Sequence, residues 1–452
     1  MEFQRIIFIS FLFLLLGVDS SDFPMNDLIT KLLGQPNVNF RQFAGYIDVD
    51  ENVASQSLFY YFVEAEKDPM TQPLTIWLTG GPGCSSVGDG FRSVGPFIFT
   101  KDAHALQTKF FFLEQRFSNF LHLVLIDTFL LSNLLFIDSP IGSGWSYSNI
   151  SSNYNNGDDS TNNILLIFMQ KWYEKYPVFK SKDLYLAGSS FAGHFVPNLA
   201  NALLDDNKQF EQSKFNLKGL VLGNPMLRKK LDDLMINNSL YNEIKKECNV
   251  IDENNYFSNI KTTWSANLTA FKTDAHNYSP QKLFDVFRAR CAENEQDLNL
   301  GKRVPKVSSE VDMCIPLRVQ FYFNLSEVQK MEGLFHPTSF KYNEADKDLD
   351  MLLALQNLLQ QSIPITIFSG DQDGIIPTMG TLQHLEKLAE ELNIKLTKEE
   401  TWSFNNKERG LKYEFGDLLK FLTVKGGNHH VTSSRPSQAF SIFKIFAINW
   451  MH

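Results

Sequence analysis

The chain has 452 residues, of which 43% are hydrophobic and 21% charged, and a formal net charge of −9. That much apolar material is enough to bury a sizeable core, so the chain reads as globular rather than disordered. The acidic balance argues against a nucleic-acid partner, because no basic stripe is placed to neutralise phosphates.

At the N-terminus Arg5 precedes an apolar run over 6–16, and the small residues Val18 and Ser20 follow. The run is too short to span a bilayer comfortably and gives way to polar chain. It predicts a signal peptide over 1–20, cut before Ser21, leaving no stable membrane anchor and a secreted or lysosomal product.

Further on, the run over 74–78 reads as a buried strand. It enters Thr79-Gly80-Gly81-Pro82-Gly83-Cys84-Ser85-Ser86, a glycine loop able to aim backbone amides at an oxyanion. The run over 184–187 enters Gly188-Ser189-Ser190-Phe191-Ala192-Gly193 ahead of a segment that can start a helix. Small residues around Ser190 suit a sharp strand-to-helix bend, where a bulky Cβ would obstruct the neighbouring chain. A serine held there is presented at the carboxyl edge of a sheet, and the helix that follows offers free amides to an oxyanion. The competing reading is that Ser190 only caps that helix.

Two later strand ends supply company. The run over 363–368 leads into Ser369-Gly370-Asp371-Gln372-Asp373, and the run over 421–424 leads to Gly426-Gly427-Asn428-His429-His430. Singly, the acids read as turn carboxylates and the histidines as loop residues. Serine, then aspartate, then histidine, each just past a strand, is the chain order of an α/β-hydrolase triad.

Strand and helix patterns alternate over 40–224, the chain over 226–333 is polar and carries cysteines and sequons, and the sheet pattern resumes near Ile365. The predicted fold class is α/β: an α/β-hydrolase fold with a largely parallel central sheet and an inserted, mostly helical cap. The predicted boundaries are 21–225 for the first part of the core, 226–333 for the cap and 334–452 for the second part. Trp264, Phe271, Phe284, Phe287 and Phe321 of the cap line an acyl pocket or, more plainly, fill core. Acceptor sequons stand at Asn149, Asn237, Asn267, Asn277 and Asn324. Cys84, Cys248, Cys291 and Cys314 form an even set that allows three pairings in an oxidising compartment. No His/Cys cluster has metal-site spacing, so no metal and no cofactor is expected.

The glycine loop and the triad order come with Phe43-Ala44-Gly45-Tyr46-Ile47-Asp48-Val49, Phe59-Tyr60-Tyr61-Phe62-Val63-Glu64, Leu135-Phe136-Ile137-Asp138-Ser139-Pro140-Ile141-Gly142-Ser143-Gly144-Trp145-Ser146-Tyr147-Ser148 and Leu220-Val221-Leu222-Gly223-Asn224-Pro225. With these blocks in this order, the chain resembles the serine carboxypeptidase family over most of its length after the first forty or so residues. The resemblance implies Ser190 as nucleophile, Asp373 as the residue that orients the histidine, His429 as general base, and Gly81 and Phe191 as oxyanion donors. It also favours Cys84 with Cys314, which leaves Cys248 with Cys291. A homodimer belongs to the same set of expectations.

Departures from the family pattern sharpen the expectation. Thr79 stands where the family has an asparagine, and Ser93 and Ser189 stand where it has two glutamates that share a proton and bind the substrate's C-terminal carboxylate. Gly80 is kept and brings a backbone amide, so the implied substrate-binding set is Gly80, Thr79, Ser93 and Ser189. Three hydroxyls still donate hydrogen bonds but lack an acid-dependent switch. The resemblance thus implies a secreted or lysosomal hydrolase that removes C-terminal residues from peptides through an acyl-enzyme, with activity rising as His429 loses its proton. An esterase or acyltransferase on acyl conjugates and a non-catalytic binding or protective homologue stand as alternatives. Arg92, beside Ser93, offers a positive charge to an acidic substrate, yet is expected to be solvated or paired at the surface. Asn428 replaces a glycine and is expected to keep the turn by tolerating left-handed backbone angles. His430 is expected to point away from the triad, and a one-residue shift in register would make it the base instead. The apolar segment 117–131 departs from the family pattern and reads as an insertion or as an imperfectly predicted reading frame.

Overall fold

The computed structural model describes residues 23–50, 55–100, 103–108, 132–209, 214–228, 315–323, 325, 328 and 340–444. Its centre is a mixed sheet formed by β1 (Gln42–Asp48), β2 (Gln56–Val63), β3 (Leu74–Thr79), β4 (Asn133–Ile137), β5 (Asp183–Ser189), β6 (Asn216–Gly223), β7 (Ile365–Gly370), β8 (Leu396–Phe404), β9 (Lys407–Phe415) and β10 (Leu419–Val424). The spatial order is β1-β2-β4-β3-β5-β6-β7-β10-β9-β8, and the short strand Tyr147–Ser148 adds to β2. From β4 through β10 every neighbouring pair is parallel. The outer pairs are antiparallel. This is the α/β fold with a largely parallel central sheet that the sequence predicts.

The strand sequences explain the arrangement. Every residue of β3, β4 and β7 is buried, as expected of central parallel strands covered on both faces. The edge strand β8 is instead mostly exposed and carries Lys398, Glu399 and Glu400, charges that discourage edge-to-edge pairing. On one face α1 (Asp158–Lys175) and α2 (Ala192–Lys208) cover the sheet. Aromatic rings of α1 and its C-terminal turn fill that side: Trp172 stacks on Tyr176 at 4.5 Å, and Phe62 of β2 meets Phe179 edge-on at 5.1 Å. The opposite face has its own cluster, in which Phe91 packs against Tyr61 at 5.2 Å. With both faces sealed, the open ground for chemistry is the carboxyl edge of the parallel strands.

The sheet resumes at Ile365, after the region read as an insertion, of which Ile315–Phe323 is helical. The expected signal peptide over 1–20, the segment 117–131, Cys248, Cys291 and Cys314, and the sequons at Asn237, Asn267, Asn277 and Asn324 lie outside the described residues. So do most of the cap with Trp264, Phe271, Phe284 and Phe287, and the side chain of Phe321. Asn149 is exposed on the surface. Cys84 is exposed and unbridged among the described residues.

Candidate active site

Four parallel strands end within reach of one another, and the loops leaving them carry the candidate residues. After β5 the chain turns so sharply into α2 that Ser190 adopts φ 60°. That left-handed conformation is unusual for a serine and is held in place: its N–H donates to Gly223 O at 3.0 Å, and its carbonyl accepts from the amides of Gly193 and Met226, both at 2.9 Å. The small flanking residues have a visible reason. A Cβ on Gly188 would stand 2.5 Å from Leu78 O, and one on Gly193 would stand 2.4 Å from Met226 O.

The loop after β10 brings His429 Nε2 to 2.9 Å from Ser190 Oγ, and His429 Nδ1 lies 2.8 Å from Asp373 Oδ2. With Nδ1–H donating to the carboxylate, Nε2 is left as the acceptor for the serine hydroxyl. Burial alone would raise the Asp373 pKa. The hydrogen bond and charge of His429, with the amides of Ile375 and Ile376 on Oδ1, outweigh it and hold the carboxyl below its ordinary value. The two competing residues lie elsewhere. Asp371 is exposed and uses Oδ1 to accept from the Gly426 amide at 2.6 Å, so it serves the turn. The His430 ring lies 5.1 Å from that of His429, and its backbone N–H bonds Asn428 Oδ1 at 2.9 Å. Asn428 therefore keeps the turn through its side chain. Its φ is not positive, contrary to the expectation drawn from its tolerance of left-handed angles, and Gly426 takes the left-handed position at φ 70°.

Two groups that support this geometry escaped the sequence reading. Asn224, directly after β6, donates from Nδ2 to Asp373 Oδ2 at 2.6 Å and is buried. Its place just past a strand at the same sheet edge was the available signal. Asp138, after β4, accepts from Ser85 Oγ at 2.7 Å and Val87 N at 3.0 Å through Oδ1, and from Trp145 N at 3.1 Å through Oδ2. Complete burial pushes its pKa up to about 6 against the lowering effect of those donors. Asp138 thus ties the end of the glycine loop to the loop at 139–145.

The glycine loop itself lies against the serine turn. Gly80 approaches Phe191 so closely that an added Cβ would stand 2.2 Å from the Phe191 amide nitrogen. The Phe191 ring stacks at 4.3 Å on His194, whose Nδ1 is 2.8 Å from Asp158 Oδ2 in the fully buried base of α2.

Thr79, Ser93 and Ser189 gather at this edge but not as the sequence reading expected. Thr79 and Ser189 are register partners at the ends of β3 and β5. The Thr79 hydroxyl, however, donates to Asp89 Oδ2 at 3.0 Å, and the Ser93 hydroxyl turns to Asp89 through its carbonyl at 3.2 Å and Oδ1 at 3.3 Å. Trp77 Nε1 also donates to Asp89 Oδ2, at 3.0 Å. Two of the three hydroxyls expected to donate to a substrate are directed at a buried carboxylate one helical turn before Ser93. The sequence reading passed over Asp89, although its i,i+4 spacing to Ser93 was visible. Arg92 is half-buried, and its Nε is buried with no hydrogen-bond partner. Among the described residues no group of His, Cys, Asp and Glu could hold a metal ion, and no helix is long and apolar enough to cross a membrane.

Comparison with known proteins gives the family. The family model described as serine carboxypeptidase matches residues 33–449. Serine carboxypeptidase-like 44 of Arabidopsis thaliana is 40% identical, over 94% of this chain and 91% of that one. Serine carboxypeptidase-like 42 of the same plant is 39% identical with the same coverage. Among solved structures, Kex1(delta)p, a prohormone-processing carboxypeptidase from Saccharomyces cerevisiae, matches with a TM-score of 0.60 at 21% identity, over 95% of this chain and 92% of that one, which speaks for the shared fold. The chain is accordingly a serine carboxypeptidase-like hydrolase and belongs to the serine carboxypeptidase family.

Proposed function

We propose that the protein hydrolyses ester or amide bonds through an acyl-enzyme on Ser190, with His429 as general base and Asp373 as its orienting carboxylate. The observation that carries this reading is the unbroken chain Ser190 Oγ to His429 Nε2 at 2.9 Å and His429 Nδ1 to Asp373 Oδ2 at 2.8 Å. His429 takes the serine proton as Oγ attacks the carbonyl, and the amides of Gly81 and Phe191 receive the oxyanion. His429 then returns the proton to the departing amine or alkoxide. Water repeats the sequence on the acyl-enzyme. The histidine must be neutral to act, because only then is Nε2 free to accept the serine proton. A secreted or lysosomal setting fits the leader-like start of the chain and the exposed sequon at Asn149.

One observation favours a second reading, an esterase or acyltransferase on the same scaffold. Ser93 and Ser189 stand in place of the proton-sharing glutamates expected to bind a peptide's terminal carboxylate, and the Thr79 and Ser93 hydroxyls are committed to Asp89. A fluorophosphonate probe tests both readings together. Labelling of the parent across a pH series, absent in Ser190→Ala, is the expected result. No labelling of a folded parent would refute catalysis by this serine and leave a binding role. A panel of free and C-terminally blocked peptides alongside simple esters then separates peptidase from esterase.

A further inference from the structure

Beside the triad lies a cation that nothing among the described residues neutralises. Arg92 stands on the turn Gly90–Val94, its Nε is buried without a hydrogen-bond partner, and it forms no ion pair with another described residue. The nearest acid in sequence, Asp89, is occupied on its own side by Trp77, Thr79 and Ser93. A guanidinium left half-buried and unpaired is costly, and its five donors suit a planar carboxylate.

The surroundings of Arg92 locate it at the chemistry. The helix Val431–Ser434, which follows His429 and His430 directly, packs on the turn that carries Arg92. Burial first, and then the charge of Arg92, push His430 down to about 4. His429 adds to that effect, while Asp89 and Asp373 oppose it. Cys84 at the glycine loop also feels Arg92, which offsets part of the rise that burial and Asp89 impose on its thiol. The guanidinium is thus near enough to both the glycine loop and the histidine pair to act on their charges, and His430 lies 5.1 Å, ring to ring, from the base that delivers a proton to the leaving group.

We propose that Arg92, with His430 beside it, forms an anion subsite next to His429 that takes the carboxylate of an acidic leaving group, an amino acid or a hydroxy acid. The subsite rests on the triad reading for its place in the reaction. It replaces a proton-sharing pair of acids with a permanent cation, so recognition of the carboxylate does not require acid pH. His430 contributes as a neutral imidazole able to donate one N–H.

The test uses two esters of one N-acyl amino acid, with 3-phenyllactate and with its carboxamide as leaving group. The parent is expected to prefer the carboxylate. In Arg92→Met the ratio of kcat/KM for carboxylate over carboxamide should fall 10- to 100-fold, mainly through KM, the size expected for losing a charge-assisted hydrogen bond. Arg92→Lys should keep much of the preference, which separates lost charge from lost packing. An unchanged ratio in Arg92→Met, or no preference in the parent, overturns the subsite. Calorimetry of 3-phenyllactate on Ser190→Ala reads binding without turnover. If it binds there and weakens in Ser190→Ala/Arg92→Met, the subsite stands even where the parent hydrolyses neither ester, and the triad reading is what fails. If it does not bind and the parent turns over both esters equally, the subsite falls and the triad reading survives.

Discussion

Gly80→Ala is a single-methyl test of whether the glycine loop and the serine turn work as one oxyanion site. An added Cβ would stand 2.2 Å from Phe191 N, 2.8 Å from Phe191 Cα and 2.9 Å from Phe191 Cβ. The first two contacts are with backbone, so no side-chain rotation relieves them. Reaching an ordinary contact requires the loop and the turn to part by about 1 Å. The loop is not free to do so, because the Gly80 carbonyl accepts from Cys84 N at 3.1 Å and Asp138 holds Ser85 and Val87 beyond it. Misplacing an oxyanion donor by this much is comparable with removing it, which costs about 100- to 1,000-fold in kcat. Overpacking costs a further ~1–3 kcal/mol of stability. The assay is the second-order rate of fluorophosphonate labelling beside ester kcat, with urea midpoints to establish folding. A folded Gly80→Ala variant with kcat within about threefold of the parent would refute the inference that the Phe191 amide takes part.

The triad's supports give three further expectations. Asn224→Ala removes the donor at 2.6 Å from Asp373 Oδ2, a hydrogen bond to a charged acceptor worth about 1.5–3 kcal/mol. The depressed Asp373 pKa should rise toward its ordinary value, and the stability that ionised Asp373 contributes above the unfolded pKa should be lost at a higher pH on acidification, read from urea midpoints between pH 3 and 7. Asp138 has the opposite sign. Burial raises it to about 6, so the folded chain keeps a proton that the unfolded chain has released, and stability falls as pH climbs from about 4 to 6. Asp138→Asn should flatten that slope and, with an acceptor to Ser85, Val87 or Trp145 lost, lower kcat about tenfold, as expected from ~1–3 kcal/mol for an unmet buried donor.

The fold was legible because the central strands announce themselves. Apolar runs at β3, β5, β7 and β10 each end in glycine-bearing turns, and the serine, aspartate and histidine appear in those turns in hydrolase order. Asn224 and Asp138 escaped because each works through a partner distant in sequence that no motif order announces. Asn224 meets Asp373 across 149 positions, and Asp138 meets Ser85 across 53. Neither residue type nor spacing reveals such a pair, since the sheet alone brings the strand ends together. Asn428 shows a different limit. Its residue type correctly suggested a stand-in for glycine, but a short amide side chain can serve a turn by bonding as well as by adopting φ > 0, and here it bonds.

Asp89 alters how the substitutions at Thr79, Ser93 and Ser189 are to be understood. As isolated replacements they look like the loss of a carboxylate-binding apparatus, with three small hydroxyls left to do the work. The geometry instead closes two of them around an acid: Asp89 lies one turn before Ser93 on the same helical stretch, and Thr79 at the end of β3 reaches it at 3.0 Å. A carboxylate bound by the Thr79 and Ser93 hydroxyls and by an indole N–H is an acceptor already satisfied, so it neither donates to an incoming anion nor needs a second acid to share its proton. An anionic substrate entering here would meet repulsion from Asp89 unless a cation stood between them. Arg92, three residues on and unpaired, is the described side chain whose charge meets that need, and its value to the site depends on Asp89 being held toward β3. Thr79, Asp89, Arg92 and Ser93 therefore act as one coupled set. Restoring Ser93 to glutamate without removing Asp89 would set two carboxylates against each other instead of rebuilding a peptide-binding pair.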